Sequence, residues 1–155
     1  MSATFNTDAN GVLTATITGS GALGTYGALY LITDSNGNKA TAVIIEGYSS
    51  IQKYAFLDTP SVTSITIGDS VTALGERAFI GSSLSSITIP ANVTSIDADA
   101  FNGVDTLTSI TVASGNTNYS SNNGVLFDYS GAILKVYPKA NARTSYEIPG
   151  SVTSI

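Results

Sequence analysis

Leu84-Ser85-Ser86-Ile87-Thr88-Ile89-Pro90-Ala91-Asn92-Val93-Thr94-Ser95-Ile96-Asp97-Ala98-Asp99-Ala100-Phe101-Asn102-Gly103 is the stretch that decides the fold. It opens with a short alternating run, Ile87-Thr88-Ile89, which reads as a strand with isoleucines on one face and threonine on the other. A second apolar pair, Val93 and Ile96, follows, and then a small residue next to a ring, Ala100-Phe101. Neighbouring sequence repeats all three features. The strand triplet recurs as Ile65-Thr66-Ile67 and Ile110-Thr111-Val112, at spacings of 22 and 23 residues. The Ala-Phe pair recurs at Ala55-Phe56 and Ala78-Phe79, at spacings of 23 and 22. The apolar pair recurs as Val71 with Leu74 and as Val152 with Ile155.

A unit of this length cannot bury its own apolar face. Stacked on its neighbours, its Ile, Val and Phe columns join into one core. The expected architecture is therefore mainly β, a solenoid whose parallel strands at Ser64–Ile67, Ser86–Ile89 and Ser109–Val112 pair in register. Each unit carries the same apolar frame, Val62-x-x-Ile65-x-Ile67, Leu84-x-x-Ile87-x-Ile89 and Leu107-x-x-Ile110-x-Val112. The small residue lets the return path approach closely, and the ring fills the interior, where full burial stabilises by about 1.5–3 kcal/mol.

The pattern L-x-S-I-T-I-P-x-x-V-T-S-I-x-x-x-A-F-x-G over residues 84–103 resembles the leucine-rich repeat of BspA-like surface proteins, also called the Treponema pallidum type. Flanking copies are looser, with Gly68 in place of the proline and Leu57-Asp58 after Phe56. The stretch Asn116-x-x-Tyr119-Ser120-Ser121-x-Asn123-Gly124-Val125-Leu126-Phe127 resembles the expanded repeat of the same family. There a hairpin interrupts the return path, which resumes at Tyr137-Pro138 and Tyr146-x-Ile148-Pro149-x-x-Val152. The resemblance covers residues 43–155, with the expanded repeat at about 113–147. It implies a leucine-rich-repeat solenoid, surface display and adhesion, although a repeat sets a scaffold and not a ligand.

Residues 1–42 show no such repeat and are expected to form an N-terminal β-hairpin cap, since a solenoid must cover the apolar end of its first coil. Leu13, Ala15 and Ile17 alternate with threonines after an Asn10-Gly11 turn and read as a half-exposed strand. Strands are expected over 28–33 and 40–45, joined by the turn Asp34-Ser35-Asn36-Gly37-Asn38. The run Gly11-x-Leu13-x-x-x-Ile17-x-Gly19-x-Gly21 also resembles the segment that precedes the repeats in some BspA-like proteins. At the other end the sequence stops after Val152 and Ile155, midway through a unit, so the chain is expected either to be part of a longer array or to self-associate through this C-terminal coil.

Composition narrows the function. Only 11 % of residues are charged, while Ser and Thr make up about a quarter, a hydroxyl-rich surface typical of β-rich extracellular proteins. A net charge of −5 with six basic residues argues against a nucleic-acid partner, because phosphate neutralisation needs clustered Lys and Arg. Lys135, Lys139 and Arg143 form the sole loose basic cluster and read as solvated loop charge. There is no cysteine for a disulfide and no apolar run long enough to insert in a membrane. The first residues lack the basic and apolar regions of a signal peptide.

Chemistry is hard to place. With no His and no Cys, a nucleophile would lack its usual partner, so no catalytic residue and no enzyme activity are expected. Gly19-x-Gly21-x-x-Gly24 has dinucleotide-loop spacing but leads into a strand-like stretch, and reads as a turn-rich loop with no cofactor. Asp34-Ser35-Asn36-Gly37-Asn38 starts like a calcium loop but puts its glycine at the fourth position instead of the sixth and has no bidentate Glu at the twelfth, and no metal site is expected. Asp97 and Asp99, with Glu76 one repeat earlier, read as solvated charge rather than a glycosidase pair.

One surface stands out. The outward positions of the repeated strands, Ser64 and Thr66, Ser86 and Thr88, Ser109 and Thr111, should align into two hydroxyl columns with steps of about 4.8 Å. Such a face can bind a protein backbone or a glycan, and these residues are the candidate partner-binding site. Threonine is also simply common in strands, which leaves a purely structural reading open. Three rungs are few for an ice-binding face. Two functions remain: an extracellular or cell-surface adhesion module, or a structural component of an assembled particle, such as a phage capsid decoration or tail protein, displayed on the virion surface.

Overall fold

The computed structural model describes residues 2–28 and 30–155, and among them there is no α-helix. Five short strands carry the repeated apolar pattern: β2 (Leu13–Leu23), β3 (Ala42–Ile51), β4 (Ser64–Ile67), β6 (Ser86–Ile89) and β8 (Ser109–Val112). Their inward residues stack rung on rung. Ala15 pairs with Val43 and Val43 with Ile65; Ile17 pairs with Ile45 and Ile45 with Ile67, all in parallel register. Ile87 and Ile110, then Ile89 and Val112, continue the same two columns. All but the half-buried Val112 are buried, so the period of the sequence becomes a continuous aliphatic core.

A second, narrower ladder forms on the return path. Leu23 pairs with Ile51, Ile51 with Leu74 in β5 (Ala73–Leu74), and Leu74 with Ile96 in β7 (Ser95–Ile96). Beside it, Phe56, Phe79 and Phe101 stack with centroid separations of 5.7 and 5.3 Å. Offset ring pairs of this kind contribute about 0.5–1.5 kcal/mol beyond their buried area.

The hydroxyl richness has a structural cause at the corners of the coils. Thr63 Oγ1 donates to Thr41 O, Thr72 Oγ1 to Ser49 O, Thr94 Oγ1 to Thr72 O and Thr108 Oγ1 to Ser85 O, at 2.7–3.3 Å. Ser70 and Ser83 reach back to Tyr48 O and Pro60 O in the same way. Each bond spans 22 or 23 residues, one coil. A short hydroxyl at a corner thus ties its coil to the one before, which a long charged side chain could not do as closely.

The N-terminal region differs from expectation. A hairpin is present, but β1 (Ser2–Thr7) and the start of β2 form it, antiparallel across the Asp8–Val12 turn. The strand expected over 28–33 is not formed: Ala28 and Leu31 lie in a turn, only Thr33 makes a bridge, to Lys39, and Leu29 is outside the described residues. The segment expected at 40–45 is the start of β3, which runs parallel to β2 instead of closing a hairpin. Leu13 to Thr41 therefore make a full first coil. Gly24, Gln52, Gly75 and Asp97 offer equivalent turn carbonyls to Gly27, Ala55, Ala78 and Ala100, so Gly27-Ala28 stands where later coils have Ala-Phe. A Cβ on Gly27 would lie 2.7 Å from Leu23 Cδ1, which explains why this corner takes glycine rather than alanine.

The ladder of the expected three strands is also not continuous. β6 and β8 pair in register, but β4 pairs with β3, and β4 lies beside β6 without a closed ladder. Proline supplies a reason. Gly68 N donates to Ile45 O and Ala113 N to Ile89 O, whereas Pro90 has no N–H for the equivalent Ile67 O.

Beyond β8 the chain forms a three-stranded antiparallel sheet of β9 (Tyr119–Asn122), β10 (Val125–Asp128) and β11 (Leu134–Val136). Asn116 anchors its entry. The buried amide donates to Pro90 O and Val93 O, and its Oδ1 accepts from Asn118 N and Tyr119 N. A small second core, Val125, Phe127 and Leu134, lies under this sheet, and Val152 packs on it. Thr153 N and Ser154 N both donate to Ala132 O, and Ser154 O accepts from Leu134 N, so this last segment lies parallel to the one before it.

Candidate binding face

The structure places the six candidate residues as the alternation requires. Ser64, Thr66, Ser86, Thr88 and Thr111 are exposed, and Ser109 is half-buried. None of their side chains makes a hydrogen bond to the described residues, in contrast to the corner hydroxyls of Thr63, Thr72, Thr94 and Thr108. Two populations of hydroxyl therefore exist, one spent on the fold and one left for solvent or a partner.

The face is not flat. Where the ladder opens between β4 and β6, a depression of about 540 Å³ runs along Ser64, Thr66, Ser86 and Thr88, with Asp69 at one end. On one side the face is roofed by the β9–β10 turn: Gly124 O accepts from Ile110 N at 2.9 Å, and a Cβ on Gly124 would lie 3.0 Å from Ser109 Cβ. This explains why Ser109 is partly covered. On the other side the face extends further than the three repeats suggest. Register places Thr14, Ala42 and Ser64 in one row and Thr16, Ile44 and Thr66 in the next. β1 adds Asn6 beside Thr14 and Thr4 beside Thr16. The alternating Leu13–Thr18 pattern carried that signal, but its longer coil hid its place in the series.

The other candidate chemistries fall where their local geometry dictates. Asp34 holds its own turn, its carboxylate accepting from Asn36 N, Asn38 N and Asn38 Nδ2. The Asn38 bonds hold its pKa below the ordinary carboxylate value. Asp8 and Asp128 serve their turns in the same way, and the hydrogen bond from Ser130 lowers the pKa of Asp128. Asp97 Oδ1 accepts from Asp99 N, and both residues are exposed; Glu76 instead pairs with Lys53 at 2.8 Å. Gly19 belongs to β2 and makes room for Tyr48, whose ring lies 2.5 Å from where a Cβ would be. Burial pushes the Tyr48 hydroxyl above its ordinary pKa. Of the basic cluster, Lys139 pairs with Asp105 and Arg143 donates to Asn123 O. Among the described residues no group of His, Cys, Asp or Glu is arranged to hold a metal ion, and no helix is long and apolar enough to cross a membrane.

Stacked coils of 22–23 residues, with inward aliphatic columns and three stacked rings along the return path, define a leucine-rich-repeat solenoid. The family model for the BspA type leucine rich repeat region matches residues 35–144 in six copies, and the chain belongs to that family. Its fold is similar to that of a leucine rich cell surface protein from Faecalibacterium prausnitzii, with 34 % identity and a TM-score of 0.65 over 76 % of this chain. It is also similar to a leucine-rich repeat protein from Eubacterium ventriosum, with 25 % identity and a TM-score of 0.50 over 97 % of this chain. The chain spans 31 % of the first of these proteins and 52 % of the second. Comparison with the curated proteins finds no match. Membership of this family makes the chain an interaction scaffold in general terms.

Proposed function

We propose that the chain is a non-enzymatic binding module, displayed at a cell surface, whose strand face receives a protein or glycan partner. The observation that carries this reading is the contrast between hydroxyls. Those at the coil corners are bonded to backbone, while Ser64, Thr66, Ser86, Thr88, Ser109 and Thr111 keep their donors and acceptors unspent on one side of the sheet. The depression between β4 and β6 gives that face relief, and Asp69 adds an acceptor at its edge. Surface display is supported by the likeness to the cell surface protein of Faecalibacterium prausnitzii and by the low charge of the sequence.

The test is binding of the full chain to a panel of glycans and extracellular proteins, with and without the double change Thr66→Arg and Thr88→Arg. Loss of a captured partner with an unchanged melting temperature supports the strand face. Unchanged binding removes it and favours the inserted segment of residues 116–143.

A further inference from the structure

We propose that Asn102 and Asn123 are sites of spontaneous covalent modification, converting to aspartate and isoaspartate while the chain stays folded, and that conversion at Asn123 loosens the roof over one side of the strand face. The sequence contains four Asn-Gly pairs, at 10–11, 36–37, 102–103 and 123–124, and all four asparagines are exposed. Asparagine is thermolabile, and a following glycine leaves the reacting atoms uncrowded because it carries no Cβ. The chemistry is the same in each pair. The backbone nitrogen of the glycine gives up its proton and attacks Cγ of the asparagine side chain. The C–N bond of the side-chain amide breaks, ammonia leaves, and a cyclic imide remains. Water then opens the imide at either carbonyl. One opening gives aspartate; the other gives isoaspartate, in which the main chain runs through the former side-chain carbon. Water is the only co-reactant.

The fold divides the four pairs by what it does with the glycine nitrogen. Gly11 N donates to Asp8 O and Gly37 N to Asp34 O, both at 3.1 Å. In each turn the same aspartate also accepts from the asparagine, Asn10 N to Asp8 Oδ1 at 2.8 Å and Asn36 N to Asp34 Oδ1 at 2.9 Å. There the nucleophile is occupied, and the peptide units on both sides of the asparagine are held. Gly103 N and Gly124 N donate to no carbonyl among the described residues, although Asn102 N itself donates to Asp99 O. These two nitrogens are free to attack.

Asn123 and Gly124, with φ of +54° and +83°, form the tight turn between β9 and β10. Its two carbonyls are tied to other parts of the chain: Gly124 O accepts from Ile110 N and Asn123 O from Arg143 Nη1, both at 2.9 Å. Isoaspartate adds a carbon to the main chain between them, which breaks the fit of the turn to its strands and to Ile110. It also turns the carbonyl that Arg143 already holds into a carboxylate, and charge-assisted hydrogen bonds are the stronger kind. The modified turn is thus drawn to Arg143 and away from Ile110.

The test incubates the full chain at mildly alkaline pH, where the amide proton leaves more readily, digests samples at acid pH and locates the products by fragmentation mass spectrometry. Asn102 and Asn123 should convert about ten-fold faster than Asn10 and Asn36, the scale of the backbone hydrogen bond that must first open. In urea the four rates should converge, because only the fold tells the pairs apart. Asp34→Ala, which removes the carboxylate holding its turn, should bring Asn36 toward the rate of Asn123 and leave Asn10 unchanged. Hydrogen exchange on the aged Asn102→Ser chain, where only the hairpin has reacted, should show the Ile110 amide exchanging faster than before. Four equal rates in the folded chain, faster conversion at Asn10 or Asn36, or a ratio that survives in urea each overturns the assignment. An Ile110 amide unchanged by conversion overturns the effect on the roof.

Discussion

The hydroxyl of Tyr119 accepts a 2.8 Å hydrogen bond from the backbone N–H of Ile96, in the position where another coil would offer a carbonyl. The return-path ladder runs Leu23, Ile51, Leu74, Ile96 and then stops, and this one side chain closes its edge. Tyr119→Phe keeps the buried ring and removes the acceptor. The orphaned N–H should cost about 1–3 kcal/mol in urea unfolding, and the Ile96 amide should exchange faster with solvent. Unchanged exchange would show that the hydroxyl closes nothing.

Phe79 is fully buried with a ring on either side. Phe79→Ala should lower stability by about 3–5 kcal/mol through cavity formation. Calorimetry on the full chain checks this. A loss below 1 kcal/mol, on the order of a surface change, would mean the stack contributes little.

Gly47 has φ +78°, and a Cβ there would lie 2.3 Å from Gly19 O on the neighbouring coil. Gly47→Ala should cost more than the roughly 1 kcal/mol expected of a left-handed residue alone, because backbone rather than a flexible side chain blocks the added methyl. Chemical denaturation of this variant beside Gly11→Ala, which has positive φ but open space, separates strain from collision.

Stability should be flat across neutral pH, since the chain has no His. Asp34 and Asp128 have folded pKa values held below the ordinary one by turn hydrogen bonds. Their contribution is present above the unfolded carboxylate pKa of about 4 and is lost as pH falls through the folded values. Tyr48, raised by burial, and Lys53, raised by the bond to Glu76, contribute below their unfolded values, and that stability is lost as pH rises above about 10. Thermal melts from pH 2 to 11, on the order of these limits, should show a plateau with two falling limbs. Asp34→Asn should soften the acid limb.

Much of the fold was legible because the repeat encodes it twice, in the inward isoleucines and in the Ala-Phe pairs. Ile65, Ile87 and Ile110 all face the core as their spacing requires. The first coil was not legible, because its Gly27 is 28 residues from Ala55 and has Ala28, not a ring, after it. The open ladder at β4 and β6 depends on what Pro90 cannot donate, and the proline reads in sequence as part of the family pattern rather than as a break. Of the candidate face, orientation followed from alternation alone. What separates its free hydroxyls from Thr63 or Thr108 is the corner geometry, which places some side chains beside the carbonyl of the previous coil.

That separation is tested most directly by comparing two double variants of the full chain for both melting temperature and partner binding. Thr66→Arg with Thr88→Arg changes the free hydroxyls, and Thr63→Val with Thr108→Val changes the bonded ones. The first pair should melt with the wild type and lose the partner, while the second should lose about 1–3 kcal/mol of stability and keep it. A strand-face pair that binds like the wild type, or a corner pair that melts with it, would contradict the division of labour between the two sets of hydroxyls.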